Sequence, residues 1–141
     1  MSGVHYCIED LAIGMEAAHE RIVTGSDIEV FAELSGDNNP VHLDADFAAR
    51  SPFKARIAHG MLTASFISTV LGTKLPGYGC IYLSQTLRFK APVKIGDTVR
   101  ALARVTSLDR DKRRAGLDCS VSVGDKVVLE GEALVLVPAR G

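Results

Sequence analysis

Gly60-Met61-Leu62-Thr63-Ala64-Ser65-Phe66-Ile67-Ser68-Thr69-Val70-Leu71 carries no charge and no polar group larger than a hydroxyl. A surface helix shows a polar face, so a helix that is apolar all round is one buried on most sides. Gly72 near its end and Pro76-Gly77 beyond it are stop signals. The charge-free run from Gly60 to Thr73 is 14 residues, short of the roughly 20 that span a bilayer. What buries this helix must come from the rest of the chain.

Downstream the period changes to two. Ile81–Val93 reads as a strand, and Val99, Ala101, Ala103 and Val105 alternate with Arg100, Leu102, Arg104 and Thr106. The cleanest alternation sets Ala115, Leu117, Cys119, Val121 and Val123 against Arg114, Gly116, Asp118, Ser120 and Ser122. Gly124-Asp125 is a two-residue hairpin turn into Val127–Val137. Turns at Gly96-Asp97 and Asp109–Lys112 complete an antiparallel meander, with Ala18–Thr24 a weaker edge strand. Upstream, Ser26-Asp27-Ile28-Glu29 has the form of a capping box, followed by Ile28, Phe31 and Ala32 at helical spacing. Gly36 ends that helix, and Pro40 prevents Asp37-Asn38-Asn39 from continuing it. Ala45–Ala49 is expected to form a short helix capped by Asp44. The architecture that fits is α+β: one long buried helix wrapped by a curved antiparallel sheet of about five strands. Such a sheet leaves edges to be covered, which favours a homodimer.

The 141 residues fit one domain spanning 1–141, long enough to remove about two-thirds of the chain surface from water. Hydrophobic residues are 47% and charged residues 23%, which excludes intrinsic disorder. A net charge of −1 gives no electrostatic footprint for nucleic acid. Cys7, Cys80 and Cys119 are scattered, and His5, His19, His42 and His59 have no partner at ligand spacing. A reducing compartment and no bound metal are the expectations. MSGVHYCIED has neither a basic nor an apolar signal segment, so a cytoplasmic location is expected. No G-x-S-x-G, P-loop or G-x-G-x-x-G occurs, which leaves hydrolase-elbow, phosphoryl-transfer and nicotinamide chemistry without support, and no cofactor is expected.

Chemistry is concentrated in Asp37-Asn38-Asn39-Pro40-Val41-His42. Taken alone, Asp37 reads as the start of an Asx turn and His42 as a satisfied surface residue. The sharper reading is that one rigid turn holds a carboxylate and an imidazole on one water molecule, the pair suited to moving protons near neutrality. Asn39 orients the loop or the water, or is another turn residue. Gly60 opens the buried helix, whose first N–H groups lack intrahelical partners and lie at its positive end. A glycine there admits a ligand carbonyl to the backbone, although close packing explains it equally simply. His59 before it is read as structural.

Phe31-Ala32-Glu33-Leu34-Ser35-Gly36-Asp37-Asn38-Asn39-Pro40-Val41-His42, then five residues and Ala48, matches the hydratase-2 motif. His59-Gly60-Met61-Leu62 and Ile81–Phe89 resemble the segments that follow it, so the likeness runs from Ser26 to Pro138. The chain is similar to the MaoC-like, PhaJ-type (R)-specific enoyl-CoA hydratases of hot dog fold. That resemblance implies hydration of a trans-2-enoyl-CoA to an (R)-3-hydroxyacyl-CoA, with an acyl-CoA thioester as partner and polyhydroxyalkanoate precursor supply as a candidate role. It implies Asp37, His42 and Asn39 as active-site residues and Gly60 as the donor to the thioester oxygen. It also carries Ser68, Leu71 and Val135 over to acyl-pocket positions, for which a helix hydroxyl bond and core packing are the plain alternatives. Lys54, Arg56, Lys90 and Lys112-Arg113-Arg114 are candidate CoA-phosphate contacts that equally read as solvated charge. The rivals are a hot dog acyl-CoA thioesterase or acyl-carrier-protein dehydratase, and a non-catalytic acyl-CoA-binding module. The absence of any acid from Met61 to Thr73 argues against the first pair, and the presence of Asp37 and His42 argues against the last.

Overall fold

The computed structural model describes residues 3–141. Its elements in chain order are β1 (Glu16–Ile22), α1 (Gly25–Ser35), α2 (Pro40–Leu43), α3 (Ala45–Ala49), α4 (Gly60–Thr73), β2 (Ile81–Gln85), β3 (Arg88–Phe89), β4 (Thr98–Asp109), β5 (Arg114–Val123) and β6 (Lys126–Leu136). A short 3-10 turn, Ile8–Asp10, precedes β1.

All strand pairs are antiparallel, in the order β1-β4-β5-β6-β2 with β3 also on β6. The alternation read from sequence sets the faces. Val99, Ala101, Ala103 and Val105 on β4 and Ala115, Leu117, Cys119 and Val121 on β5 are all buried, with the intervening polar residues turned outward. Onto this face packs α4, burying Leu62, Thr63, Ala64, Phe66, Ile67, Val70 and Leu71. Small residues at Ala101 and Ala103 leave room for the helix. One contiguous core results, and the expected hot dog arrangement of a sheet wrapped round one helix is the observed fold.

Three local expectations are corrected. The segment read as one strand, Ile81–Val93, is two, making six strands rather than about five. It breaks where β6 carries Gly131: a Cβ there would lie 1.8 Å from the Thr86 carbonyl oxygen, so the two backbones touch. The capping box is built on Thr24, not Ser26. The Asp27 N–H donates to Thr24 Oγ1 at 3.1 Å and the Thr24 N–H to Asp27 Oδ2 at 3.1 Å. Thr24-x-x-Asp27 fits the motif as well as Ser26-x-x-Glu29, and Arg21 holds Asp27 from β1. Finally, Pro40 starts a helical turn as well as ending the loop before it. It occupies the first turn of α2, where a missing N–H is harmless, and Asn39 caps it.

Gly36 closes α1 at φ +81, its N–H bonded to Ala32 O, and Asp44 caps α3 through the N–H groups of Asp46 and Phe47, both as the sequence suggests. Together α1, α2 and α3 bring the Asp37–His42 segment to the N-terminal end of α4.

Candidate active site

The loop after Gly36 is organised by its own side chains. Asp37 Oδ1 accepts the Asn39 N–H at 3.2 Å, and Asn39 Oδ1 accepts the Val41 N–H at 3.2 Å. The Asn39 oxygen is therefore spent on starting α2, which favours its loop-orienting role. His42 lies on α2, 9% exposed. Its Nδ1 is 2.8 Å from the Ile57 carbonyl oxygen. A carbonyl only accepts, so Nδ1 carries the proton and Nε2 of the neutral ring is left with a free lone pair. Arg56 Nε donates to the His42 carbonyl at 2.7 Å, fixing the same turn from behind.

His59, 2% exposed, comes back over this turn. Its Nε2–H donates to the Asp37 carbonyl at 2.9 Å, and its ring stacks on His42 with centroids 3.9 Å apart and 25° between planes. On its other side lies Phe31 of α1, at 4.8 Å and 48°. Among the described residues, His59 Nδ1 is buried without a partner.

Asp37, His42 and His59 each place a ligand-type atom within 4.8 Å of the others. Linear spacing concealed this gathering, since 22 residues separate Asp37 from His59. A carboxylate beside an imidazole lone pair suits proton transfer better than coordination of an ion.

These groups face a cleft of about 550 Å³ whose other walls include Phe53, Met61, Phe89, Val93 and Leu129. Gly60, the first residue of α4, is in the lining, and the N-cap residue His59 makes no side-chain cap. The positive end of α4 thus opens on the cleft. Phe89 leans over Gly60 so closely that a Cβ there would meet its ring at 2.7 Å.

The remaining residues suggested by the sequence divide. Ser68 is exposed in a second groove of about 430 Å³ with Tyr82 and Leu87. Met61 lines both hollows. Ser65, Thr69 and Thr73 bond back to helix carbonyls, whereas the Ser68 hydroxyl makes no such bond among the described residues. Leu71 and Val135, which the resemblance carries over to an acyl pocket, are 1% and 0% exposed and belong to the core cluster. Leu71 is on the face of α4 turned to the sheet, and Val135 follows the inward alternation of Ala133 and Val137. Of the candidate phosphate contacts, Lys90 lines the cleft. Arg56 is turned inward to His42 and Glu29, a tethering role that the sequence did not suggest. Lys112-Arg113-Arg114 belongs to the β4–β5 hairpin and lines no part of the cleft.

A sheet wrapped round one uncharged helix, with a carboxylate and an imidazole over the open end of that helix, defines a class of hot dog proteins. Residues 11–128 match the MaoC like domain family, and the chain belongs to it. It is 53% identical over 138 residues to the (R)-specific enoyl-CoA hydratase of Rhodospirillum rubrum, covering 98% of this chain and 95% of that one. It is 54% identical over 132 residues to the 3-hydroxybutyryl-CoA dehydratase of Methylorubrum extorquens, with coverages of 94% and 84%. The solved structure of the (R)-hydratase from A. caviae involved in PHA biosynthesis superposes with a TM-score of 0.90 at 44% identity, over 92% of this chain and 99% of that one.

Proposed function

We propose that this protein is a hydro-lyase that adds water across the double bond of trans-2-enoyl-CoA thioesters to give (R)-3-hydroxyacyl-CoA, and that the Asp37–His42 pair activates the water. The observation that carries this reading is the gathering of Asp37 and His42 in one cleft with the open N-terminus of α4, the His42 ring being held through Nδ1 so that its Nε2 is free. Water is too weak a nucleophile to attack C3 unaided. One member of the pair takes a proton as the oxygen–carbon bond forms, and the π electrons move towards the thioester oxygen. The Gly60 N–H and the helix end stabilise that developing negative charge. Collapse of the enolate takes a proton from the pair at C2, restoring the starting protonation. The two groups act as one unit, so neither is assigned as sole base. Dehydration is the same path reversed, in keeping with the name of the M. extorquens relative.

The acyl chain is placed along α4 from Gly60 towards Ser68, roughly 12 Å further on at the helical rise. A second copy of the chain is the proposed cover for that groove. The edge strand β2 offers an unpaired backbone flank there, with Ile81, Tyr82 and Leu83 exposed at 55%, 40% and 43%. One domain over 1–141 is supported by the single sheet and contiguous core. A cytoplasmic setting fits three cysteines that are all free. No described helix is long and apolar enough to cross a membrane. Supply of polyhydroxyalkanoate precursors is the role favoured by the likeness to the A. caviae protein.

The test is loss of enoyl-thioester absorbance with crotonyl-CoA, followed by chiral analysis of the product. Formation of (R)-3-hydroxybutyryl-CoA is expected. Silence across an enoyl-CoA panel, with free CoA released from saturated acyl-CoA, would replace this reading with the thioesterase.

A further inference from the structure

We propose that His59 is a positioning residue for the Asp37–His42 pair, acting through a hydrogen bond to one and a ring stack on the other; this rests on the hydration reading above. The loop joins Asp37 to His42 from within, through Asn39. His59 joins them from outside it, from the residue that begins α4. Its Nε2–H holds the Asp37 carbonyl at 2.9 Å, which fixes the backbone that carries the carboxylate. Its ring covers one face of His42 at 3.9 Å, which fixes the plane in which the His42 Nε2 lone pair points. Phe31 backs the ring from the far side at 4.8 Å. Because His59 is also the residue before Gly60, the same anchor sets the reacting pair against the open end of α4.

The buried, unpartnered Nδ1 separates this role from simple packing. A ring kept only to fill space would be served as well by an apolar side chain, which leaves no orphaned polar atom. Retaining an imidazole there is explained by the one hydrogen bond its other nitrogen makes.

Three variants test this against crotonyl-CoA, with the wild-type rate measured first so that failure of the hydration reading is recognised on its own. His59→Phe keeps the stack and removes the donor. It is expected to fold with a melting temperature a few degrees at most below wild type and to lower kcat by about 100-fold, the size of a small misplacement of reacting groups, with KM within about threefold. His59→Gln presents an amide N–H towards the same carbonyl and is expected to regain about tenfold of that loss. Phe31→Leu loosens the stack from behind and is expected to lower kcat about fivefold with KM unchanged. Folded His59→Phe protein with wild-type kcat would overturn the proposal, as would a His59→Gln variant no faster than His59→Phe. If neither His59 variant folds, wild-type kcat in Phe31→Leu overturns it.

Discussion

Gly60→Ala should separate stability from activity, because its effects on the two have different origins. Gly60 occupies the first turn of α4 with a helical backbone, so alanine needs no unusual dihedral there. Replacing glycine by alanine at a compatible position stabilises by about 0.4–1 kcal/mol, through the unfolded chain. Against this stands the new methyl group, 2.7 and 2.9 Å from two carbons of the Phe89 ring, up to roughly 0.7 Å short of ordinary contact at 3.4 Å. Phe89 is 53% exposed and on a two-residue strand, so it can swing outward. The strain of an off-rotamer ring is of order 0.5–1.5 kcal/mol. The two terms nearly cancel, and the melting temperature should move by no more than about 4 °C. Activity has no such compensation. In the proposed mechanism the methyl crowds the approach of the thioester oxygen to the Gly60 N–H, and loss of one such donor costs about 100- to 1,000-fold in kcat. The assay is thermal melting alongside crotonyl-CoA hydration on the same preparation. A variant that melts normally and turns over at the wild-type rate would refute the placement of the oxyanion at Gly60. A variant that does not fold would refute the reading of Phe89 as yielding.

Asp37→Asn keeps the oxygen that accepts the Asn39 N–H, and His42→Ala leaves α2 capped by Asn39. Each should fold and lose about 100- to 10,000-fold in kcat, and normal turnover in either, measured by enoyl absorbance, would remove that residue from the mechanism. Leu71→Ala should destabilise by about 2–5 kcal/mol in urea unfolding; a shift in chain-length preference at unchanged stability would return Leu71 to the acyl pocket. The hydrogen bond from Arg21, opposed by partial burial and aided by the Thr24 N–H, holds the Asp27 carboxyl below its usual value. Its folded value lies below its unfolded one, so its contribution is complete above about pH 4 and is lost as the pH falls through the folded value. Asp27→Asn should therefore be about 1 kcal/mol less stable than wild type at pH 7, and equilibrium unfolding curves of the two should converge near pH 2.

Much of this was legible in the chain because the signals were local and repeated. Alternation runs for four residues on each face of β4 and five on each face of β5, so small errors in any one position do not change which side is buried. The all-apolar face of α4 excludes a surface location without further information. Asp37 and His42 share one short turn, and six residues of sequence are enough to bring them together. His59 belongs to the same site but arrives from another element, and ring stacking leaves no trace in spacing. Arg56 was visible only as a charge; its turn inward to the His42 carbonyl is a tertiary event. The break between β2 and β3 originates in Gly131 on the neighbouring strand, so nothing within Ile81–Val93 announces it. Pro40 was legible as a breaker because its missing N–H is a local fact. Its use as a starter depends on Asn39 accepting from Val41. Leu71 and Val135 were placed by correspondence of position, and the packing of α4 on the inner face of the sheet puts both in the core.

The groove along α4 gives the helix a second use, as a measuring rod. In the proposed placement its first residue stands at the thioester oxygen, and every residue after it lies about 1.5 Å further along the axis. Ala64, Ser65 and Ser68 line that groove with small side chains. Enlarging one of them would stop the chain of the substrate at a depth fixed by its position in sequence. Preference for short or long substrates could thus drift by single replacements on one helix, while the groups that handle the proton stay as they are.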